Sequence, residues 1–120
     1  AFRVLKENFE GLKIDSTYKS YLASFGASLV QSGLIPTVAF FEAKERTKED
    51  RSKINKMIFE IAVNSKRFTT SETSLYEYVY KNRNQNSYNY ETAENIVIAM
   101  KLAMRTFEIT EEKDVTQNGV

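Results

Sequence analysis

The stretch that most constrains the fold is residues 18–44, in which two apolar segments are separated by a glycine and a proline. Large side chains of the first segment recur at helical spacing: Tyr18, Leu22, Phe25 and Leu29. Gly33 follows this segment, as is typical of a helix C-terminus that needs a positive φ. Pro36 then suits the first turn of a second helix, because its φ is fixed and it lacks an N–H. The stretch therefore predicts a helical hairpin.

A second face of the first helix carries small residues: Ala23, Gly26, Ala27 and Val30. Because no bulky side chain holds a neighbour away, this face predicts the close approach of another helix.

Apolar residues at helical spacing continue through the rest of the chain. The stripes are Phe2, Leu5, Phe9 and Leu12; Ile54, Met57, Ile58, Ile61 and Ala62; Leu75, Tyr76, Val79 and Tyr80; and Ile96, Val97, Met100, Ala103, Met104 and Phe107. No segment alternates with a period of two for long enough to indicate a sheet. The fold class is therefore predicted to be all-α, a compact bundle of five to six helices in a single domain. The last stripe also carries Ile98, Leu102 and Ile109 on its other sides, so this helix is expected to be buried centrally or shared with a partner.

Boundaries follow from local signals. The sequence predicts a helical bundle over residues 1–110 and a polar, acidic tail over residues 111–120, which is expected to fray. Two capping boxes are expected, Thr47 with Asp50 and Thr69 with Glu72. The asparagine-rich residues 82–89 are predicted to form a loop.

Groups that carry catalysis are scarce. The chain has no histidine and no cysteine, which removes histidine acid–base chemistry, thiol nucleophiles and the usual zinc sites. Its 4 glycines are scattered, so no phosphate-binding loop is present. We predict that the protein is not an enzyme and uses neither a cofactor nor a metal. No apolar run is long enough for a membrane span, and the composition is compatible with the cytoplasm.

The strongest positive signal is a basic segment, residues 44–67, which holds eight basic and four acidic residues and so a local charge of +4. Such a segment can hold nucleic-acid phosphates by charge alone. It can equally be a solvated helix face rich in both signs, and the residues alone favour that interpretation.

Tyrosines surround the asparagine-rich stretch: Tyr76, Tyr78, Tyr80, Tyr88 and Tyr90. Beside Lys81 and Arg83 they could stack on the bases of a single strand. The favoured interpretation is that they pin this stretch to the core and use their hydroxyls at its rim.

Three stretches resemble one known family. They are Tyr18-Lys-Ser-Tyr-Leu with Leu29-Val-Gln-Ser-Gly33-Leu34, Thr37-Val-Ala-Phe40 and Lys44; Tyr88-Asn-Tyr90-Glu-Thr92-Ala93-Glu94; and Met104-Arg105-Thr106-Phe107. In this order they are similar to the small all-helical subunit of the Cmr-type (type III-B) CRISPR effector complex.

The resemblance implies a non-catalytic subunit of an antiviral, RNA-targeting complex. Such subunits stack with copies of themselves beside the backbone subunits, and a groove between the two filaments holds guide RNA paired with target RNA. The expected partners are therefore the other subunits, further copies of this chain, and guide or target RNA, with no membrane. The candidate nucleic-acid-binding residues are Lys19, Lys44, Arg46, Lys48, Arg51, Lys53, Lys56 and Arg105.

Two alternatives stay open. One is an all-helical protein–protein adaptor with no nucleic-acid role, in which the basic residues serve only solubility. The other is the small subunit of the sister type III complex.

Overall fold

The computed structural model describes residues 2–8, 16–43, 50–69 and 72–118, with the side chains of residues 3–8 in the first range and of residues up to 106 in the last. Within these ranges the chain forms six α-helices and one 3-10 turn and has no β-strand. The helices are α1 (Phe2–Asn8), α2 (Ser16–Ser32), α3 (Leu34–Glu42), α4 (Ser52–Asn64), α5 (Leu75–Lys81) and α6 (Asn86–Asn118). The all-α fold class is thereby confirmed.

Helix α6 is the axis of the molecule. Its 33 residues span roughly 50 Å at 1.5 Å per residue, which accounts for most of the 56 Å long dimension against 30 and 25 Å for the others. Helices α1, α2 and α4 pack along it. The face of α6 that meets them is buried and consists of Ala93, Ile96, Val97, Met100 and Met104.

The α2–α3 hairpin forms as predicted, and the apolar stripe of α2 is buried in full. Gly33 adopts φ 89° and its N–H donates to the Leu29 carbonyl at 3.1 Å. The restart differs from the prediction, because α3 begins at Leu34 and Pro36 is its third residue. Since the first N–H groups of a helix have no partner within it, proline costs no hydrogen bond at that position either.

Two hydroxyls fasten this hairpin. Thr37 Oγ1 donates to the Gly33 carbonyl at 2.7 Å and lies 2.7 Å from Ser28 Oγ. Because the Thr37 proton is used on the carbonyl, the Ser28 hydroxyl is the donor of the second bond. Thr37 is fully buried, so this chain of hydrogen bonds satisfies a polar group inside the core.

The helix starts differ from the expected capping boxes. Ser74, not Thr69, is the N-cap of α5, and its hydroxyl accepts from the Glu77 N–H at 3.2 Å. Glu72 instead receives the Lys81 ammonium at 3.0 Å. At α4, Asp50 Oδ1 accepts from the Ser52 N–H at 2.9 Å, whereas Thr47 lies outside the described residues.

The asparagine-rich stretch is not the loop that its composition predicted. A 3-10 turn covers Arg83–Gln85 and α6 already begins at Asn86. Asn82 and Asn89 make this possible: Asn82 Nδ2 donates to the Tyr78 carbonyl at 2.9 Å, and Asn89 Nδ2 donates to the Asn82 carbonyl at 3.1 Å. At its other end α6 runs past Thr110 to Asn118, so the backbone is helical where a tail was expected, and a functional division at residue 110 stays a prediction.

The small-residue face of α2 is only partly used. A Cβ added to Gly26 would lie 3.5 Å from Lys101 Nζ and 3.6 Å from Val97 Cγ1, so α6 approaches α2 there. Ala23, Ala27 and Val30 are exposed. On α6, Ile98 and Leu102 are 52% and 59% exposed, so the side of α6 away from the core is free for a partner within the described part of the protein.

Candidate nucleic-acid interface

The fold divides the basic segment into two separate places. Arg51, Lys53 and Lys56 lie at the start of α4, whereas Lys66 and Arg67 follow its last residue. The 13 residues of α4 put about 20 Å between its two ends. Lys44, Arg46 and Lys48 lie outside the described residues, so their candidacy stays a prediction.

Arg51 is held against an exposed aromatic ring. Its guanidinium carbon lies 4.2 Å from the centroid of the Phe40 ring, and its Nε donates to the Phe40 carbonyl at 3.1 Å. Phe40 is 58% exposed. The cation–π contact and the hydrogen bond orient the guanidinium on the protein surface.

Lys53 lies on the other side of the start of α4, against α2. Its Nζ is 5.4 Å from the centroid of the Tyr18 ring, and the Tyr18 hydroxyl accepts from the Asp50 N–H at 3.3 Å. Burial lowers the pKa of Lys53 below 10.5, and the positive charge of Lys56 lowers it further. Both causes penalise the ammonium form, so an anion bound beside it would relieve part of the penalty.

Lys56 lies one turn beyond Lys53 and is exposed. Arg51, Lys53 and Lys56 together form a surface that we call the rim of α4. It forms no ion pair with any side chain that the structure describes. The rim of α4 therefore carries two neighbouring ammonium groups that repel each other.

The remaining two candidates, Lys19 and Arg105, belong to α2 and α6. The Tyr18–Asp50 contact joins the start of α2 to the start of α4. The Tyr88 hydroxyl donates to the Arg67 carbonyl at 3.1 Å, which joins the start of α6 to the end of α4. Helices α2 and α6 therefore run in opposite directions.

This direction brings the two candidates toward the same end of the α2–α6 pair. Lys19 precedes Gly26 by seven residues and shares its face of α2, while Arg105 follows Lys101 by four and shares its face of α6. Because Lys101 lies over Gly26, the two helices carry Lys19, Lys101 and Arg105 along one seam. Arg105 is exposed and forms no ion pair within the described ranges.

Lys101 is the residue that the sequence did not single out. Its signal was the small-residue face of α2, since Gly26 leaves the space that the Lys101 side chain crosses. That space becomes visible only when the opposing helix is known.

The tyrosines around the asparagine-rich stretch had two interpretations, stacking on bases or pinning the stretch to the core, and they do not all behave alike. Tyr78 is buried and stacks on Phe68 with ring centroids 4.1 Å apart, and burial, followed by the nearby Tyr88, raises the pKa of its hydroxyl. The Tyr88 hydroxyl fastens α6 to Arg67. These two tyrosines support the pinning role. On the surface of α5, Tyr80 carries the Arg83 guanidinium 4.9 Å from its ring centroid.

No group of three or more acidic, histidine or cysteine side chains that could hold a metal occurs in the described part of the chain. Nor does any helix there have the length and hydropathy needed to cross a membrane.

The fold and the site together define a small all-α protein with basic residues on the rim of α4 and along the α2–α6 seam. A family model described as "CRISPR-associated protein (Cas_Cmr5)" matches residues 1–107. The chain belongs to this family, the small subunits of Cmr-type CRISPR complexes. Neither the curated proteins nor the solved structures gave a match.

Proposed function

We propose that the protein is a non-catalytic structural subunit of a type III-B CRISPR effector complex that contacts guide or target RNA through its basic rim. Family membership supports a place in a Cmr-type complex. The match to the Cmr family favours this complex over the sister type III complex. The antiviral role and the cytoplasmic location belong to the same proposal.

The observation that carries RNA contact is the start of α4. Two of its three basic side chains rest on aromatic rings, Arg51 on Phe40 and Lys53 on Tyr18. Rings that hold cations at the surface lower the entropy lost when a phosphate is bound. Lys56 adds an exposed charge one turn away. This rim would bind phosphates by charge and would read no base sequence.

Contacts with other proteins would use exposed apolar side chains on α2 and α6. Val30, Ile98 and Leu102 are 74%, 52% and 59% exposed. A stacked copy or a backbone subunit that covers them would bury apolar surface at about 25 cal/mol per Å².

Binding of a fluorescent single-stranded RNA, followed by anisotropy at rising salt, tests RNA contact. We expect the logarithm of the affinity to fall linearly with the logarithm of the salt concentration, with a slope near −0.7 for each phosphate neutralised. The double variant Arg51→Glu/Lys56→Glu should weaken binding and flatten this slope.

Arg83→Glu is the matched control, because Arg83 also lies over an aromatic ring, Tyr80, but belongs to the 3-10 turn after α5 and not to α4. It should leave the salt slope unchanged. An affinity that ignores salt, or an equal loss in the control, would contradict RNA contact at α4 and favour the protein–protein adaptor, in which only the apolar faces bind.

A further inference from the structure

A groove of about 320 Å³ lies between α3, α4 and the start of α5, and neither Arg51 nor Lys53 lines it. Its walls are Glu42, Ser52, Asn55, Lys56, Phe59 and Glu60, closed by residues 73–75. The groove shares Lys56 with the proposed RNA contact, but its other wall residues have no part in that contact, and the family match assigns them no role.

Asn55 is the unusual wall residue. It is 2% exposed and lies on the otherwise apolar buried face of α4. Its Nδ2 donates to the Val38 carbonyl at 2.9 Å and to Glu42 Oε2 at 3.1 Å. Both partners are acceptors, so the amide cannot be turned round. Its Oδ1 is buried and accepts no hydrogen bond from the described residues.

A buried oxygen without a donor destabilises the fold, and such a group is unusual in a folded protein. Less than 1 Å² of this oxygen is accessible, so an N–H donor in the groove would satisfy it once the groove widens beside Asn55. Asn55 Oδ1 therefore needs a hydrogen-bond donor from outside the described residues.

The two carboxylates of the groove, those of Glu42 and Glu60, also need hydrogen-bond donors. Glu42 accepts only from Asn55, and Glu60 accepts from Asn8 Nδ2 at a long 3.4 Å, among the contacts that the described residues make. Neither forms an ion pair within these ranges. Lys56 offsets one of the two negative charges, so acceptors and negative charge remain in excess.

The side chain that meets this combination is arginine. Its guanidinium has five N–H donors in one plane, so it can reach a buried amide oxygen and a carboxylate together. Phe59 and Leu75 line the same groove and offer apolar surface to the arginine stem and to the flat face of the guanidinium. A lysine ammonium is a compact, strongly hydrated charge that gains less from such a flat surface.

We propose that this groove receives an arginine side chain from a different subunit of the complex. The proposal uses membership of a Cmr-type complex and does not depend on RNA contact, so a failure of RNA binding leaves it intact. The groove would fix the position of the neighbouring subunit by a charged and oriented contact. The exposed apolar side chains Val30, Ile98 and Leu102 would supply the buried apolar area.

The first test is an NMR titration of the full chain with blocked arginine, N-acetyl-arginine N-methylamide. We expect saturable shifts of the Asn55 side-chain amide and of the backbone amides of Phe59 and Glu60. The neutral isostere, blocked citrulline, and blocked lysine should each bind at least tenfold more weakly, as should arginine to Glu42→Gln/Glu60→Gln. Glu94→Gln, an exposed carboxylate on α6, is the control that should not change the affinity.

Equal shifts with citrulline, shifts scattered over the surface, or no saturation in the millimolar range would overturn the arginine site. The second test is hydrogen exchange of the purified complex against the isolated chain. Residues 52–60 should gain protection in the complex, and Glu42→Gln/Glu60→Gln should lose that gain. Shifts of the same signals on raising the concentration of the chain alone would show a second copy in the groove and overturn its assignment to a different subunit.

Discussion

Replacing Gly33 with alanine tests the turn that sets α3 against α2. Gly33 has φ 89° and ψ 177°, a region of backbone space that essentially only glycine adopts, at a cost of about 1–3 kcal/mol for other residues. Because ψ is extended, asparagine, which tolerates the left-handed helical region, should not rescue the position.

The expected size of the effect can be worked out because the site is open. A Cβ at Gly33 would meet no heavy atom within 4 Å, so the cost is one of backbone conformation alone. Alanine also restricts the unfolded chain, which stabilises by about 0.4–1 kcal/mol where the native conformation is compatible. We therefore expect a net loss of roughly 1.3 kcal/mol, the difference between the midpoints of these two ranges.

Gly26→Ala is the matched control, with the opposite sign. Gly26 lies inside α2, and its added Cβ would make ordinary contacts of 3.5 and 3.6 Å with Lys101 and Val97. Alanine in a helix interior is favoured over glycine by about 0.5–1 kcal/mol.

Urea unfolding followed by circular dichroism at the helix band distinguishes the two. At an m-value of about 2 kcal/mol/M, Gly33→Ala should lower the midpoint by about 0.7 M without changing m, and Gly26→Ala should raise it. A Gly33→Ala protein as stable as wild type, or equal effects of both variants, would refute the conformational reasoning.

Three further changes have defined outcomes. Ser74→Ala removes the α5 cap and should cost about 1 kcal/mol in urea unfolding, whereas Thr69→Ala should change stability by less than about 0.5 kcal/mol. Phe25→Ala empties a fully buried position beside Phe41 and should cost about 3–5 kcal/mol in the same assay. The lowered pKa of Lys53 means that the folded state penalises its charge at neutral pH, so stability should rise as pH approaches 10.5. Lys53→Met should lack that rise when unfolding is measured across this pH range, and a parallel pH profile would contradict it.

The sequence predicted the elements whose signal is local. The stripe of Leu22, Phe25 and Leu29 predicts its own burial, because large apolar side chains at helical spacing have no other favourable place. Gly33 was also identifiable from a local signal, because a glycine directly after an apolar helical stripe is typical of a helix C-terminus with a positive φ.

Features that depend on tertiary contacts were not predictable. Several hydroxyl residues precede α5, and each is an acceptable cap; the helix begins directly after Ser74, with Leu75 and Val79 buried. Asn55 interrupts an apolar face, and its partners come from α3, which no pattern within α4 reveals.

The candidate site shows the same division. Charge density pointed to the start of α4, but not to the rings beneath Arg51 and Lys53, which belong to other helices. Lys101 was missed because its place over Gly26 arises from the antiparallel pairing of α2 and α6.

The most direct test of the central proposal is the RNA retained by the assembled complex when the basic segment is reversed in charge. Lys44→Glu/Lys48→Glu/Arg51→Glu should assemble with the other subunits, keep the helical circular dichroism of wild type and retain less RNA, with a loss that grows at higher salt. Arg83→Glu should retain RNA as wild type does. RNA retention by the triple variant equal to that of wild type would contradict an RNA-contacting role for this surface and leave the protein a purely protein-binding subunit.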